Sequence, residues 1–123
     1  MRKIPVRNSL LVLLLLLSLP FTGCRSPFVA VTITNQSDGP ISLIEVDYPS
    51  ASFGVGSLAL GNEFHYRFKI QGSGPVKIQF TDAAGKAHSA TGPELKEKQE
   101  GSMTITIGSN AQILWDLHLS GTK

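Results

Sequence analysis

Few residues in this chain could carry chemistry. His65, His88 and His118 are the three histidines, and Cys24 is the single cysteine. Three imidazoles suffice to hold zinc or copper, but no two of these are spaced to share a face locally, and each is expected on the polar side of its strand. Asp116 and His118, two apart in an extended segment, do share a face, which sets an orienting acid beside a base. A hydrolase also needs a nucleophile, and no serine sits in a G-x-S-x-G elbow. Gly54-Val55-Gly56 lacks the later glycine and the following helix of a dinucleotide loop. The expectation is no catalytic residue, no metal and no cofactor, with a small enzyme or metal-handling protein using surface histidines as the alternative. Asn35-Gln36-Ser37 has the form of a glycosylation sequon and is read as turn chemistry.

Charge offers a second candidate. Phe64, Tyr66, Phe68 and Ile70 alternate with His65, Arg67 and Lys69, and after a turn Val76, Ile78 and Phe80 alternate with Lys77, Gln79 and Thr81. Paired as a hairpin, these runs have one apolar face and one basic face. His65, Arg67, Lys69 and Lys77, with Gln79, then form a possible binding face for an anionic envelope component or a protein partner. The plainer reading is a solvated sheet face whose long stems cover apolar surface. Tyr48, Tyr66 and Trp115 have rings suited to stacking on a sugar, but alternation turns all three inward, toward core packing.

The elements that must position these groups are strands. Val29, Val31 and Ile33 alternate with Ala30, Thr32 and Thr34 before the turn formers of residues 35–40, and a second run carries Ile44, Val46 and Tyr48. Residues 50–62 read as a loop with one short edge strand near Phe53. Residues 82–85 read as a tight turn with Gly85 where positive φ is needed, leading to a weaker strand through Ala87, His88 and Ser89. Residues 92–101, with Glu94, Lys96, Glu97, Lys98 and Glu100, read as a mixed-charge connection with room for one helical turn. Met103, Ile105 and Ile107, then Ile113, Trp115, Leu117 and Leu119, complete the pattern. Seven or eight short antiparallel strands with no long helix predict an all-β, two-sheet sandwich. It resembles the immunoglobulin-like and fibronectin-type domains, an architectural likeness that carries no function by itself.

The net charge of +2 comes from the first residues of the chain. Arg2, Lys3 and Arg7 precede a leucine run, and from Cys24 onward eight basic residues face nine acidic ones. Without a clustered excess of Lys and Arg, nucleic-acid binding is not expected. The order of basic residues, an apolar run over residues 10–17, and small residues is that of a secretory signal. About ten apolar residues in a helix rise roughly 15 Å, half of a bilayer's hydrocarbon core.

Phe21, Thr22, Gly23 and Cys24 resemble the lipobox of bacterial lipoproteins. The resemblance covers residues 1–24. It implies cleavage between Gly23 and Cys24, a thioether-linked diacylglycerol on Cys24, and acylation of the freed amine. Arg25 in place of aspartate points, by the same resemblance, to the periplasmic face of the outer membrane in a Gram-negative envelope. The expected organisation is a signal over residues 1–23, a lipidated cysteine and tether over 24–27, a sandwich over 28–119 and a tail over 120–123. The expected role is a lipid-anchored, noncatalytic binding or structural module of the cell envelope.

Overall fold

A computed structural model describes residues 27–121, so Gly23, Cys24 and the cleavage point between them lie outside the described residues. Eight strands follow one another: β1 (Val29–Asn35), β2 (Ile41–Tyr48), β3 (Ala51–Leu58), β4 (Glu63–Phe68), β5 (Gly74–Thr81), β6 (Ala87–Leu95), β7 (Glu100–Ile107) and β8 (Ile113–Ser120). They form two four-stranded sheets, ordered β4-β1-β7-β8 and β3-β2-β5-β6. Alternation is the cause: Val29, Val31 and Ile33 of β1 and Met103, Ile105 and Ile107 of β7 all lie within 1% of full burial. Val46, Val76, Ile78 and Leu95 meet them from the other sheet. Each such side chain contributes about 1.5–3 kcal/mol by leaving water.

The expected all-β, two-sheet sandwich is what forms, with one departure from antiparallel pairing. Strand β1 pairs with β7 in parallel, Val29 opposite Gly101 through Asn35 opposite Ile107. Parallel neighbours need a crossover, and here the whole second sheet, β2, β3, β5 and β6, intervenes.

The larger correction concerns the expected basic hairpin. Strand β4 pairs with β1, whereas β5 pairs with β2 and β6, so the two runs belong to opposite sheets. Residues 69–73 form an arch between the layers, and Ile70 is 2% exposed under it. An apolar stripe followed by a second stripe is satisfied either by pairing or by facing, and the buried Ile70 marks the facing solution.

Two further expectations change. Residues 51–58 are a full strand rather than a loop, paired with β2 from Ile41 opposite Leu58 to Tyr48 opposite Ala51. Gly54 and Gly56 weaken its intrinsic preference, but Phe53 and Leu58 bury enough apolar surface to hold it. The charged stretch from Glu94 contains no helical turn. Strand β6 runs through Leu95, itself fully buried, and only residues 96–99 turn, with the Gln99 amide donating to the Lys96 carbonyl at 3.2 Å.

Aromatic rings close one long side of the sandwich, between β3 and β4. Phe53 stacks on Tyr66 at 4.2 Å and Tyr48 on Phe68 at 3.9 Å between ring centroids. Tyr66 does point inward, opposite Val31, yet stays 38% exposed because β4 is an edge strand. On the other long side Trp115 of β8 is partly buried against the core and lies over Gly92 of β6.

Candidate functional site

Each histidine stands beside its own carboxylate. His65 Nε2 lies 3.4 Å from Glu63 Oε1, His118 Nε2 lies 3.1 Å from Asp116 Oδ1, and both pairs are largely exposed. His88 differs from expectation, for it sits on the inner side of β6 with Ala90 and Gly92 and is only partly exposed. Register places it opposite Phe80, whose ring it meets at 5.2 Å, while its Nε2 is 2.7 Å from Asp82 Oδ2. Asp82 Oδ1 accepts from the backbone amides of Ala84 and Lys86, each at 2.9 Å. The His88 bond, then the Lys86 amide, holds the Asp82 carboxyl below the usual aspartate range.

The three imidazoles do not meet. Strands β4 and β8 are opposite edges of one sheet, three strand spacings or about 14 Å apart, and β6 belongs to the other sheet. Among the described residues no group of three or more His, Cys, Asp or Glu could hold a metal ion. Register does bring Ser102 of β7 opposite His118 and Thr104 opposite Asp116. The Ser102 hydroxyl makes no hydrogen bond to the imidazole, and the acid and imidazole lie open to water. A nucleophile without its base in reach, on an exposed sheet surface, lacks the geometry of an activated serine.

The basic face divides with the hairpin. Lys77 lies on the second sheet between Asp47 of β2 and Thr91 of β6, and Gln79 donates to Glu45 Oε1 at 2.8 Å. Asp47 in turn is raised above the usual aspartate range by desolvation and by Glu45, with Lys77 pulling the other way. Acid and base are thus interleaved on this surface.

Arg67 and Lys69 remain together on the first sheet's side, joined by a residue that charge alone does not reveal. The Arg67 guanidinium carbon lies 4.5 Å from the centroid of the Phe28 ring, and Lys69 Nζ lies 5.5 Å from it. The Phe28 carbonyl accepts from the Gly101 amide at 3.0 Å, which ties this corner to the start of β7. The signal was present in the sequence: Phe28 precedes inward-facing Val29 and so falls in the outward phase of Ala30 and Thr32, where a large apolar residue is out of place. Beside it lies an open concavity of about 720 Å³, bounded by Phe28, Arg67, Glu100 and His118 over a floor of Ala30 and Gly101.

Asn35, by contrast, is structural. It is fully buried, and its Nδ2 donates to the Gly39 and Leu58 carbonyls, both at 2.9 Å. Its Oδ1 accepts from the Ser37 amide at 3.0 Å and the Ser37 hydroxyl at 2.6 Å, so the sequon is a turn with no free amide.

No family model matches the chain, and no curated protein matches it. Among solved structures the chain is similar to an NMR structure of a protein from Eubacterium rectale, at 14% identity and a TM-score of 0.53, over 78% of this chain and 91% of that one. At that identity the likeness is one of fold.

Proposed function

We propose that this protein is a lipid-anchored module of a bacterial cell envelope, held at the membrane through Cys24 and acting by binding or scaffolding rather than catalysis. The observation that carries the reading is the run Phe21-Thr22-Gly23-Cys24 directly after a short leucine-rich stretch, with the chain's one cysteine where the small residues end. Two acyl chains or more at one residue give an effectively permanent anchor, since each buried methylene contributes roughly 0.8 kcal/mol.

The fold is compatible with that role in two ways. Strand β1 begins at Val29, so the four residues between Cys24 and the sandwich span at most about 13 to 14 Å. The domain then sits against the headgroups. The described core is also closed by packing alone, so the only thiol is not needed to staple it. If this reading holds, the protein recovered from a bacterial host has Cys24 as its first residue and carries a diacylglycerol mass there, and Cys24→Ala abolishes both. Mass spectrometry of the mature N-terminus decides it. A first residue other than Cys24, or an unmodified Cys24, overturns it.

A further inference from the structure

We infer that the corner built from Phe28, Arg67 and Lys69 is a docking surface for anionic phospholipid headgroups, so that the sandwich stands on the bilayer with this end down. The inference rests on the lipid-anchor reading for what brings the membrane within reach. Its geometry comes from the described residues.

The strands give the domain two distinguishable ends. Strands β1 and β7 start at the same end, and the antiparallel partners of each return to it, so residues 49–50, 69–73 and 96–99 all turn there, beside Phe28. Residues 36–40, 59–62, 82–86 and 108–112 turn at the other end. The near-end turns carry Lys69, Lys96 and Lys98 against Glu97, while the far-end turns carry Asp38 and Asp82 against Lys86. The turns where the tether enters are therefore net positive and those at the far end net negative. At strand termini nearby, Asp47 faces Lys77 across the second sheet, and Glu94 and Glu100 are the remaining acids.

Arg67 and Lys69 have a further property. All ion pairs among the described residues are made by histidines, so neither cation is matched by a carboxylate. Both instead lie over one ring, a contact that holds two like charges side by side without neutralising them. Phe28 itself is 37% exposed. An exposed aromatic flanked by unpaired cations suits the boundary between headgroup phosphates and acyl chains, where the ring leaves water and the cations do not. The neighbouring concavity is open and has Glu100 as well as Arg67 in its lining, an arrangement poor for enclosing one soluble anion. A plane of many phosphates tolerates one misplaced acid.

The test uses the full chain as produced in a bacterial host, reconstituted in vesicles of phosphatidylcholine alone or mixed in equal parts with phosphatidylglycerol. A headgroup-attached spin label then reports, by NMR line broadening, which turns approach the surface. With phosphatidylglycerol present, residues 69–73 and 96–99 should broaden and residues 36–40 and 82–86 should not, and added salt should reverse the effect as the Debye length falls below about 10 Å. Neutralising both cations in Arg67→Gln/Lys69→Gln should lower the docked-to-undocked ratio about 30-fold, from the usual contribution of a near-surface cation. Both positions are exposed, and a thermal melt of the variant separates lost docking from lost folding.

Broadening that is the same at both ends, indifferent to phosphatidylglycerol, or unchanged in the double variant overturns the docking surface while leaving a lipidated Cys24 intact. An unlipidated Cys24 overturns the anchor alone. The vesicle comparison then still reads the surface, because attraction of Arg67 and Lys69 to phosphatidylglycerol does not require the acyl chains.

Discussion

The indole of Trp115 occupies the space that a side chain at position 92 would need. A β-carbon on Gly92 would fall 2.6 Å from Trp115 Cε2 and 2.7 Å from Cδ2 and Cζ2. Strands β6 and β8 are edges of different sheets, so this contact closes one side of the sandwich without hydrogen bonds between the layers. Gly92→Ala should therefore cost about 1–3 kcal/mol, as other insertions into packed sites do. Trp115→Ala should cost about 2–3 kcal/mol, below the range for a fully enclosed ring because this one is only partly buried. The two losses share a cause, so the double variant should lose at least about 0.5 kcal/mol less than their sum in urea melts. Additive losses would mean that the ring does not rest on Gly92.

Asn35 joins four pieces of chain at the far end. Its side chain reaches the carbonyls of Gly39 and Leu58 and the turn at Ser37, while its own carbonyl accepts from the Gly61 amide at 2.7 Å. Asn35→Ala would take a partner from the Leu58 carbonyl and from the Ser37 amide, while the Ser37 hydroxyl still donates to the Gly39 carbonyl at 3.0 Å; each buried group that water cannot reach costs about 1–3 kcal/mol. A loss of about 3 kcal/mol in urea unfolding is expected, large for a domain of this size. A loss below 1 kcal/mol would show that water replaces the amide.

Much of the fold was legible because the strand period is local. Val29 to Ile33 and Met103 to Ile107 advertise their inner faces two residues at a time, and Gly85 announces its turn with φ of +85°. What the period does not encode is the neighbour. Phe64 to Phe68 and Val76 to Phe80 have the same inner face whether they pair or oppose one another, and the difference lies in whether residues 69–73 can arch over a buried Ile70. The candidate site inherited that ambiguity. Arg67 and Lys69 are legible as outward cations and Phe28 as a large apolar residue in an outward phase, but the period does not say that they share a corner or that Lys77 has other neighbours. The inward position of His88 is hidden for a related reason: its strand is rich in Ser, Ala, Thr and Gly, so its apolar phase is too faint to show which side faces in.

Lys77 supplies a direct test of how the basic residues divide. It lies opposite Asp47 and on the sheet that does not contain Arg67. Lys77→Gln should cost about 0.2–1 kcal/mol, the usual contribution of a cross-strand charge pair, and should raise the Asp47 carboxyl further because the one favourable charge beside it is gone. Headgroup contact at residues 69–73 should be unchanged. Thermal melts, carboxyl titration by NMR and the vesicle measurement read the three effects separately, and loss of headgroup contact in Lys77→Gln would return this residue to the Arg67 surface.

Two aspartates should pull the pH dependence of stability in opposite directions. Asp82 is held below its ordinary value, first by the His88 bond and then by the Lys86 and Ala84 amides. A depressed carboxyl contributes stability above its unfolded value, near 3.9, and loses it as pH falls through the folded one, so its contribution belongs to the acid limb. Asp47 is held above its ordinary value, chiefly by desolvation and then by Glu45, so it takes up protons more readily when folded and detracts from stability as pH rises through its folded value. Asp82→Asn should therefore lower stability at neutral pH and flatten the acid limb below about pH 4. His88→Ala, which removes the largest cause, should move part of the way in the same direction. Asp47→Asn should be at least as stable as the parent at pH 7, with its relative gain disappearing in acid. Urea midpoints measured from pH 2 to pH 8 compare the three variants with the parent. An acid limb that Asp82→Asn leaves unchanged would show that the pair at 2.7 Å does not persist in solution.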